Sequence, residues 1–324
     1  MTDTTTALAQ EVTLAQEPMR PAVAATLLEL GREVEDLVVL AADGRALALP
    51  FARAFPERFI DVGIAEANLV GVAGGLARSG RPVVVCGMAP FLVRRAAEQL
   101  RIDVCGPGLD VTVIGVGGGL GYGDLGASHH APEDLGSLAS MPSTRVYCPA
   151  DVHDARWAVR QAVLGAGPAY VRVGARDDVV VHSAQDTFSP GGRLEAQSHD
   201  DVLVIAAGAT VAQAHAAARA ARAQGVHVAV LSLVLLSPFP AAAVREAARG
   251  SRRVITVEEH LSPSGIGAQA ALALAGVWSG DFTALAIDGR PPPPVDREGL
   301  FAFYEIDSAA VLRTILLGQT EESS

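Results

Sequence analysis

From Met19 to Val181, short β-branched runs alternate with alanine-rich stretches of helical period. The runs LVVLAAD (37–43), RPVVVCG (81–87), VTVIGVG (111–117), TRVYCP (144–149) and AYVRVG (169–174) are mostly continuous apolar stretches. That is the pattern of strands buried on both faces, so it predicts a parallel sheet. Helices predicted near 20–32, 65–79, 90–104, 131–139 and 151–165 would cover its two sides. The alternation then pauses at the polar stretch 182–200, which carries Pro190-Gly191-Gly192. It restarts with strands at 202–208, 227–233, 252–259 and 283–289, and helices at 210–225, 240–249, 265–275 and 307–317. The reading is α/β: two doubly wound three-layer (αβα) domains. Their expected limits are a flexible arm over 1–18, a first domain over 19–185, a linker over 186–199 and a second domain over 200–324.

Composition narrows the class. Half of the 324 residues are hydrophobic and 19% are charged, which excludes a disordered or fibrous chain. No apolar run approaches the ~18 residues of a membrane span. A formal charge of −11 argues against wrapping nucleic acid or an anionic membrane surface. The basic residues are all arginine, so no Schiff-base lysine is available. Cys86, Cys105 and Cys148 lie far apart, and MTDTTTALAQEVTLAQEP lacks the basic region and apolar core of a secretory leader. A reduced cytoplasmic setting is expected.

Candidate chemistry gathers in two segments. In DVGIAEANLVGVAGGLA (61–77), Glu66 stands where a strand end passes into a helix. Ligands bind at that end of open α/β sheets, but a carboxylate also suits a helix start for purely structural reasons. Gly71, Gly74 and Gly75 would let this helix pack closely on a neighbour. The segment GVGGGLGYGDLGASHHAPEDLG (115–136) has eight glycines, yet it is neither a phosphate-binding Walker loop nor a dinucleotide fingerprint. His129 and His130 close it, with Glu133 and Asp134 beyond. A ligand-contacting histidine and a structural one both remain open, and a metal site is the weaker alternative because adjacent side chains diverge. Ser128 has no nucleophile-elbow context. Glu258, Glu259 and His260 read as a solvated loop closing a strand.

The ordered set DVGIAEANLVGVAGGLA, MAPFLVRRAAEQLR, GLGYGDLGASHHAPED and VEEHLSPSGIGAQAA resembles the C-terminal half of a transketolase, over about residues 19 to 317. The resemblance implies a pyrimidine-binding domain followed by a transketolase C-terminal domain, and thiamine diphosphate as cofactor. It makes Glu66 the catalytic glutamate that hydrogen-bonds a ring nitrogen of the aminopyrimidine. Phe91 matches the aromatic packed on that ring. Met88 and Arg94 stand at neighbouring cofactor positions, and Asp43 falls near another. His129 matches the histidine of a Gly-x-Thr-His segment that faces the substrate, with Ser128 in place of threonine. Arg20 matches an arginine that binds substrate phosphate.

Departures from the family pattern matter equally. No GDG motif followed by a distant Asn is present to carry Mg²⁺ and the diphosphate; Gly123-Asp124 is followed by Leu125. The resemblance therefore implies no metal ligand in this chain and a second subunit that holds the Mg²⁺ and diphosphate, in an α2β2 assembly. Leu125 replaces an aspartate that reads an acceptor hydroxyl. Cys148 stands where an arginine would grip phosphate, and Gly117 where a substrate histidine is expected. A charged hydrogen bond is worth roughly 1.5–3 kcal/mol, so such losses predict a shifted substrate. The expected activity is transfer of a two-carbon ketol, or related acyl, unit to an aldehyde. The alternatives are the beta subunit of a 2-oxoacid dehydrogenase or decarboxylase, and a non-catalytic partner subunit.

Overall fold

The computed structural model describes residues 15–42, 45–196 and 201–317, without the side chains of Arg45 and Asp177. The continuous apolar runs do become buried strands. In the first sheet the order is Leu235–Ser237, Arg145–Tyr147, Ala169–Val173, Val111–Val116, Val83–Met88, Val38–Ala41 and Phe59–Asp61. Leu235–Ser237 pairs antiparallel with Arg145–Tyr147, and the other pairings are parallel. Met19–Glu33, Arg45–Ala54 and Val152–Leu164 cover one face, packing Val23, Leu27, Phe51 and Val159 against it. Glu66–Arg78, Ala89–Arg95 and Asp134–Ala139 cover the other through Leu69, Val70, Leu92 and Leu135.

The second sheet runs Asp281–Ile287, Arg253–Leu261, Val202–Ala207, Val228–Leu233 and Arg193–Glu195. Its first four strands are parallel, and Arg193–Glu195 is an antiparallel edge. Thr210–Arg222 and Ser308–Leu317 lie on one face, Ala241–Ala247 and Ile266–Leu274 on the other. One apolar cluster, from Leu69 through Val146 and Cys148 to Leu203, Ile205 and Ile266, is shared by both sheets.

Several local expectations change. The polar stretch 186–199 contains the strand Arg193–Glu195, and Gln16–Pro18 of the expected arm pairs with Asp177–Val179. The helix Arg45–Ala54 is absent from the sequence reading; it forms around the internal Pro50 because Leu47, Ala48 and Phe51 are buried. The predicted helix 90–104 divides into Ala89–Arg95, Ala97–Gln99 and a wide π-turn over Leu100–Cys105. Glu258, Glu259 and His260 are not a solvated loop. They continue the strand Arg253–Leu261 and are 3%, 5% and 0% exposed. Glu258 accepts from the amides of Ile266 and Gly267 in its own domain, while Glu259 and His260 accept from the amides of Leu120 and Gly136 across the domain junction. Among the described residues no helix is long and apolar enough to cross a membrane.

Candidate active site

The strand Phe59–Asp61 ends in a tight turn in which Asp61 accepts a hydrogen bond from the Gly63 amide at 2.9 Å. Glu66 follows as the first residue of the helix Glu66–Arg78, where the helix dipole favours a carboxylate. Its side chain is only 3% exposed. Arg95 donates to both carboxylate oxygens, Nη1 lying 3.3 Å from Oε1 and 3.2 Å from Oε2. The same guanidinium lies over the Phe91 ring, 4.0 Å from its centroid. Phe91 and Arg95 are four residues apart in sequence, one helical turn.

Phe91 meets the edge of His129 at 5.5 Å between ring centroids, and Tyr122 approaches the same imidazole at 6.3 Å. Ser128 Oγ lies 3.0 Å from His129 Nδ1. Tyr122 leans on Gly117, which has φ +74°; a β-carbon there would collide with the tyrosine ring. Tyr122 therefore occupies the room that a histidine at 117 would take. Beyond it an open groove of about 570 Å³ is lined by Gln16, Arg20, Tyr122, Ala175 and Arg176. Arg176 Nη2 reaches both Asp124 oxygens at 2.6 Å, and this hydrogen bonding holds the Asp124 carboxyl below its ordinary range.

The expected residues are therefore partly gathered. Glu66, Phe91 and His129 are linked in a row, Glu66 to Phe91 through the Arg95 guanidinium and Phe91 to His129 by their rings. Arg20 stands in the adjoining groove, and Met88 is half-buried where its strand meets the helix Ala89–Arg95. Leu125 is 51% exposed on the loop that bears Tyr122 and His129. Asp43 lies outside the described residues. Arg94 turns away to Glu133, Nε to Oε1 2.6 Å, so Arg95 rather than Arg94 reaches Glu66. Cys148 does not line the groove. It is 1% exposed, burial pushes its thiol up to about 12, and its sulfur fills the space over Gly208 at the domain junction. Tyr122, Arg95 and Arg176 were missed by sequence reasoning. Arg95 alone carried a signal, its one-turn spacing from Phe91.

The weaker metal alternative near His129 loses its ligands. Glu133 is taken by Arg94, and Asp134 is fully buried, accepting from Tyr170 Oη at 2.6 Å and Arg172 Nε at 3.1 Å. Among the described residues Asp151, Asp154 and His182 are close enough to share an ion. Asp151 is already committed: it accepts from the amides of His153, Asp154, Val181 and His182.

Residues 16–177 match the transketolase pyrimidine-binding domain family and residues 192–311 the transketolase C-terminal domain family. The chain belongs to the transketolase family. One subunit of the apulose-4-phosphate transketolase of Phocaeicola vulgatus is 36% identical over 90% of this chain and 94% of that protein. A Clostridium sp. protein, 6-deoxy-6-sulfo-D-fructose transketolase subunit SqwH, is 33% identical over 81% of this chain and 82% of its own length. Among solved structures, a split-gene transketolase described as an inactive β4 tetramer superposes with a TM-score of 0.83 at 32% identity, covering 93% of this chain and 97% of that one. The transketolase of Campylobacter jejuni shares the fold, with a TM-score of 0.80 at 17% identity; this chain spans 46% of it. Membership in the transketolase family implies use of thiamine diphosphate. Two features here fit its pyrimidine: a buried carboxylate for a ring nitrogen and an aromatic face beside it.

Proposed function

We propose that this chain is the pyrimidine-side subunit of a two-chain, thiamine-diphosphate-dependent transketolase that moves a two-carbon ketol unit from a ketose or 2-oxo donor to an aldehyde. The observation that carries the reading is the junction of Glu66, Phe91 and His129, a buried carboxylate and an aromatic ring next to an imidazole that opens on an arginine-lined groove.

Glu66 binds a ring nitrogen of the pyrimidine and orients it, and Phe91 packs on the ring as a planar apolar partner. For the ring to reach them, Arg95 would leave both groups. Bound thiamine diphosphate supplies the nucleophilic carbon for carbonyl chemistry. His129, backed by Ser128 Oγ, faces the substrate and exchanges a proton with its carbonyl or hydroxyl oxygen. Arg20 gives the distal end of the groove an affinity for an anionic group, beside the Arg176–Asp124 pair. Tyr122 over Gly117 and the exposed Leu125 reshape the near end, which supports substrates other than the common pentose phosphates.

The diphosphate and its Mg²⁺ belong to the partner chain in this reading, and two copies of each chain assemble. Support comes from the apulose-4-phosphate relative and SqwH, each named as a subunit, and from a helix face at Asn68, Gly71 and Gly75 open to a neighbour. A cytoplasmic setting fits the three free, buried cysteines.

The deciding experiment co-expresses this chain with a chain bearing the GDG…N motif and assays the pair with hydroxypyruvate, xylulose 5-phosphate and pyruvate. Turnover of a ketol donor supports the proposal. Turnover of pyruvate alone transfers the chain to the 2-oxoacid dehydrogenase class.

A further inference from the structure

Residues 117–131 form a loop that is closed on itself and fastened at its base to the second domain. Gly119 and Ala131 exchange backbone hydrogen bonds of 3.1 and 2.8 Å, and the closed part carries Tyr122, Asp124, Leu125, Ser128 and His129. At the base, Leu120 is 1% exposed and belongs to the apolar cluster of the second domain, with Val257, Ile287 and Leu300. Its buried amide donates to Glu259 Oε1 at 2.7 Å. Glu259 is held in turn. Its backbone carbonyl accepts from Arg172 Nη1 at 3.1 Å, and its carboxylate lies 3.9 Å from that guanidinium. Arg172 also grips Asp134, the first residue of the helix that follows the loop. The approach leaves no slack, since a β-carbon on Gly119 would fall 2.6 Å from Glu259 Cδ. A second contact lies at Gly123, where a β-carbon would fall 2.8 Å from the Arg297 amide nitrogen.

We propose that Glu259 is a positioning residue for the substrate loop. Through Glu259 and the Leu120 peg, the second domain sets where His129 and Tyr122 stand relative to the substrate. The proposal rests on the reading of this groove as the substrate end. A glycine-rich loop has many alternative conformations to lose on ordering. The Leu120 amide, buried away from water, has Glu259 as its acceptor, so the bond is costly to break. The second domain thus acts on the chemistry without touching the reacting atoms.

Hydrogen exchange of the full chain, read on peptides over 118–130, tests the clamp. Glu259→Ala and Leu120→Ala are expected to speed exchange there about tenfold or more, because one removes the acceptor and the other the peg. Glu259→Gln keeps an acceptor oxygen and stays within about threefold of wild type. Exchange in Val202–Ala207 stays unchanged in all three. In the reconstituted pair, with hydroxypyruvate as donor and ribose 5-phosphate as probe acceptor, Glu259→Ala raises the acceptor KM about tenfold. Glu259→Gln restores it, and the apparent Kd for thiamine diphosphate moves less than about twofold. Unchanged exchange over 118–130 in a folded Glu259→Ala chain overturns the clamp. So does loosening spread evenly over both domains with weaker cofactor binding, which marks a merely structural residue. Local loosening with an unmoved acceptor KM supports the clamp but overturns the substrate role of the loop. If the wild-type pair turns over hydroxypyruvate with no aldehyde acceptor, phosphorylated or not, the functional reading fails and the exchange result alone decides the clamp.

Discussion

At the scale of single residues, Glu66 and Arg95 make opposite predictions. Glu66→Gln preserves shape and burial but removes the carboxylate proposed to orient the pyrimidine. Turnover of the reconstituted pair is expected to fall by about 10²-fold or more, with the melting temperature moving by no more than about 2 °C. Full activity in that variant would leave Glu66 a structural helix-start residue. Arg95 covers the Phe91 face and engages Glu66, the two groups that the proposed function assigns to the cofactor. Its side chain is 52% exposed, so what holds it there is modest, about 1 kcal/mol from ring and ion pair together. Arg95→Ala is accordingly expected to tighten thiamine diphosphate binding to the pair about threefold to tenfold by calorimetry; weaker binding would show that Arg95 helps to hold the ring. That Glu66, Phe91 and His129 are candidates was legible in the sequence because each sits inside a run with a recognisable order. Tyr122 over Gly117 was not, because the collision it prevents is between residues brought together by a loop with no regular period. Cys148 was misplaced for a related reason: the surface it would have lined is closed by Gly208, 60 positions away.

At the scale of elements, continuous apolar runs were easy to read because burial on both faces leaves a strong pattern. Three kinds of element escaped. Arg45–Ala54 contains a proline, Arg193–Glu195 is a short polar edge strand created by its neighbour, and Glu258–His260 carries polar side chains of which Glu259 and His260 find their partners far off in sequence, at Leu120 and Gly136. The helix Val152–Leu164 shows how such distant partners act. Asp151 caps it and also receives the amides of Val181 and His182, tying the chain after the first domain to the helix start. Asp151→Ala strands several buried donors and is expected to cost about 2 kcal/mol or more in urea unfolding. A loss below about 0.5 kcal/mol would show that other acceptors replace it.

The same latch gives a pH dependence. His182 Nδ1 lies 3.3 Å from Asp151 and 3.5 Å from Asp154. Burial opposes its charge, but the two carboxylates prevail and raise its pKa above the ordinary histidine value. Burial likewise opposes the Asp151 charge, but His182 and the amides bring that carboxyl down to about 2. The histidine's stabilisation is thus complete below its ordinary pKa and is lost as pH rises through the raised value. That of Asp151 is present above the ordinary carboxylate range and fades only toward about pH 2. Asp154, pushed up to about 6 by burial, works against the latch once it ionises without a charged His182. His182→Gln should therefore lower the melting temperature most near about pH 6 and progressively less toward about pH 9. A deficit that grows with pH would mean that the histidine is buried neutral.

At the scale of the whole molecule, the sequence showed two sheets but not their joint. The strand Leu235–Ser237 comes from the second half of the chain yet closes the edge of the first sheet, and one apolar cluster serves both. The helix Glu66–Arg78 is the face proposed to meet a neighbour. Its first residue is the proposed catalytic carboxylate, while Gly71 and Gly75 have open space where a β-carbon would be. Ile64, just before the helix, is 70% exposed. Glycine in a helix interior costs about 1 kcal/mol relative to alanine, so keeping it on an open face needs a reason outside the single chain. Close approach of a neighbour supplies one. A β-carbon at Gly75 meets nothing within 4 Å and the position is exposed. Tryptophan there replaces a poor helix former, so the isolated subunit with Gly75→Trp should fold about as stably as wild type. In the two-chain mixture the indole would stand where a neighbour packs. Light scattering after size exclusion is expected to show loss of the assembly, and turnover should fall with it. Gly75→Ala, adding one methyl, should weaken the assembly far less. If the tryptophan variant assembles as wild type does, the neighbour packs on another face, and Glu66 must complete its site from a different direction.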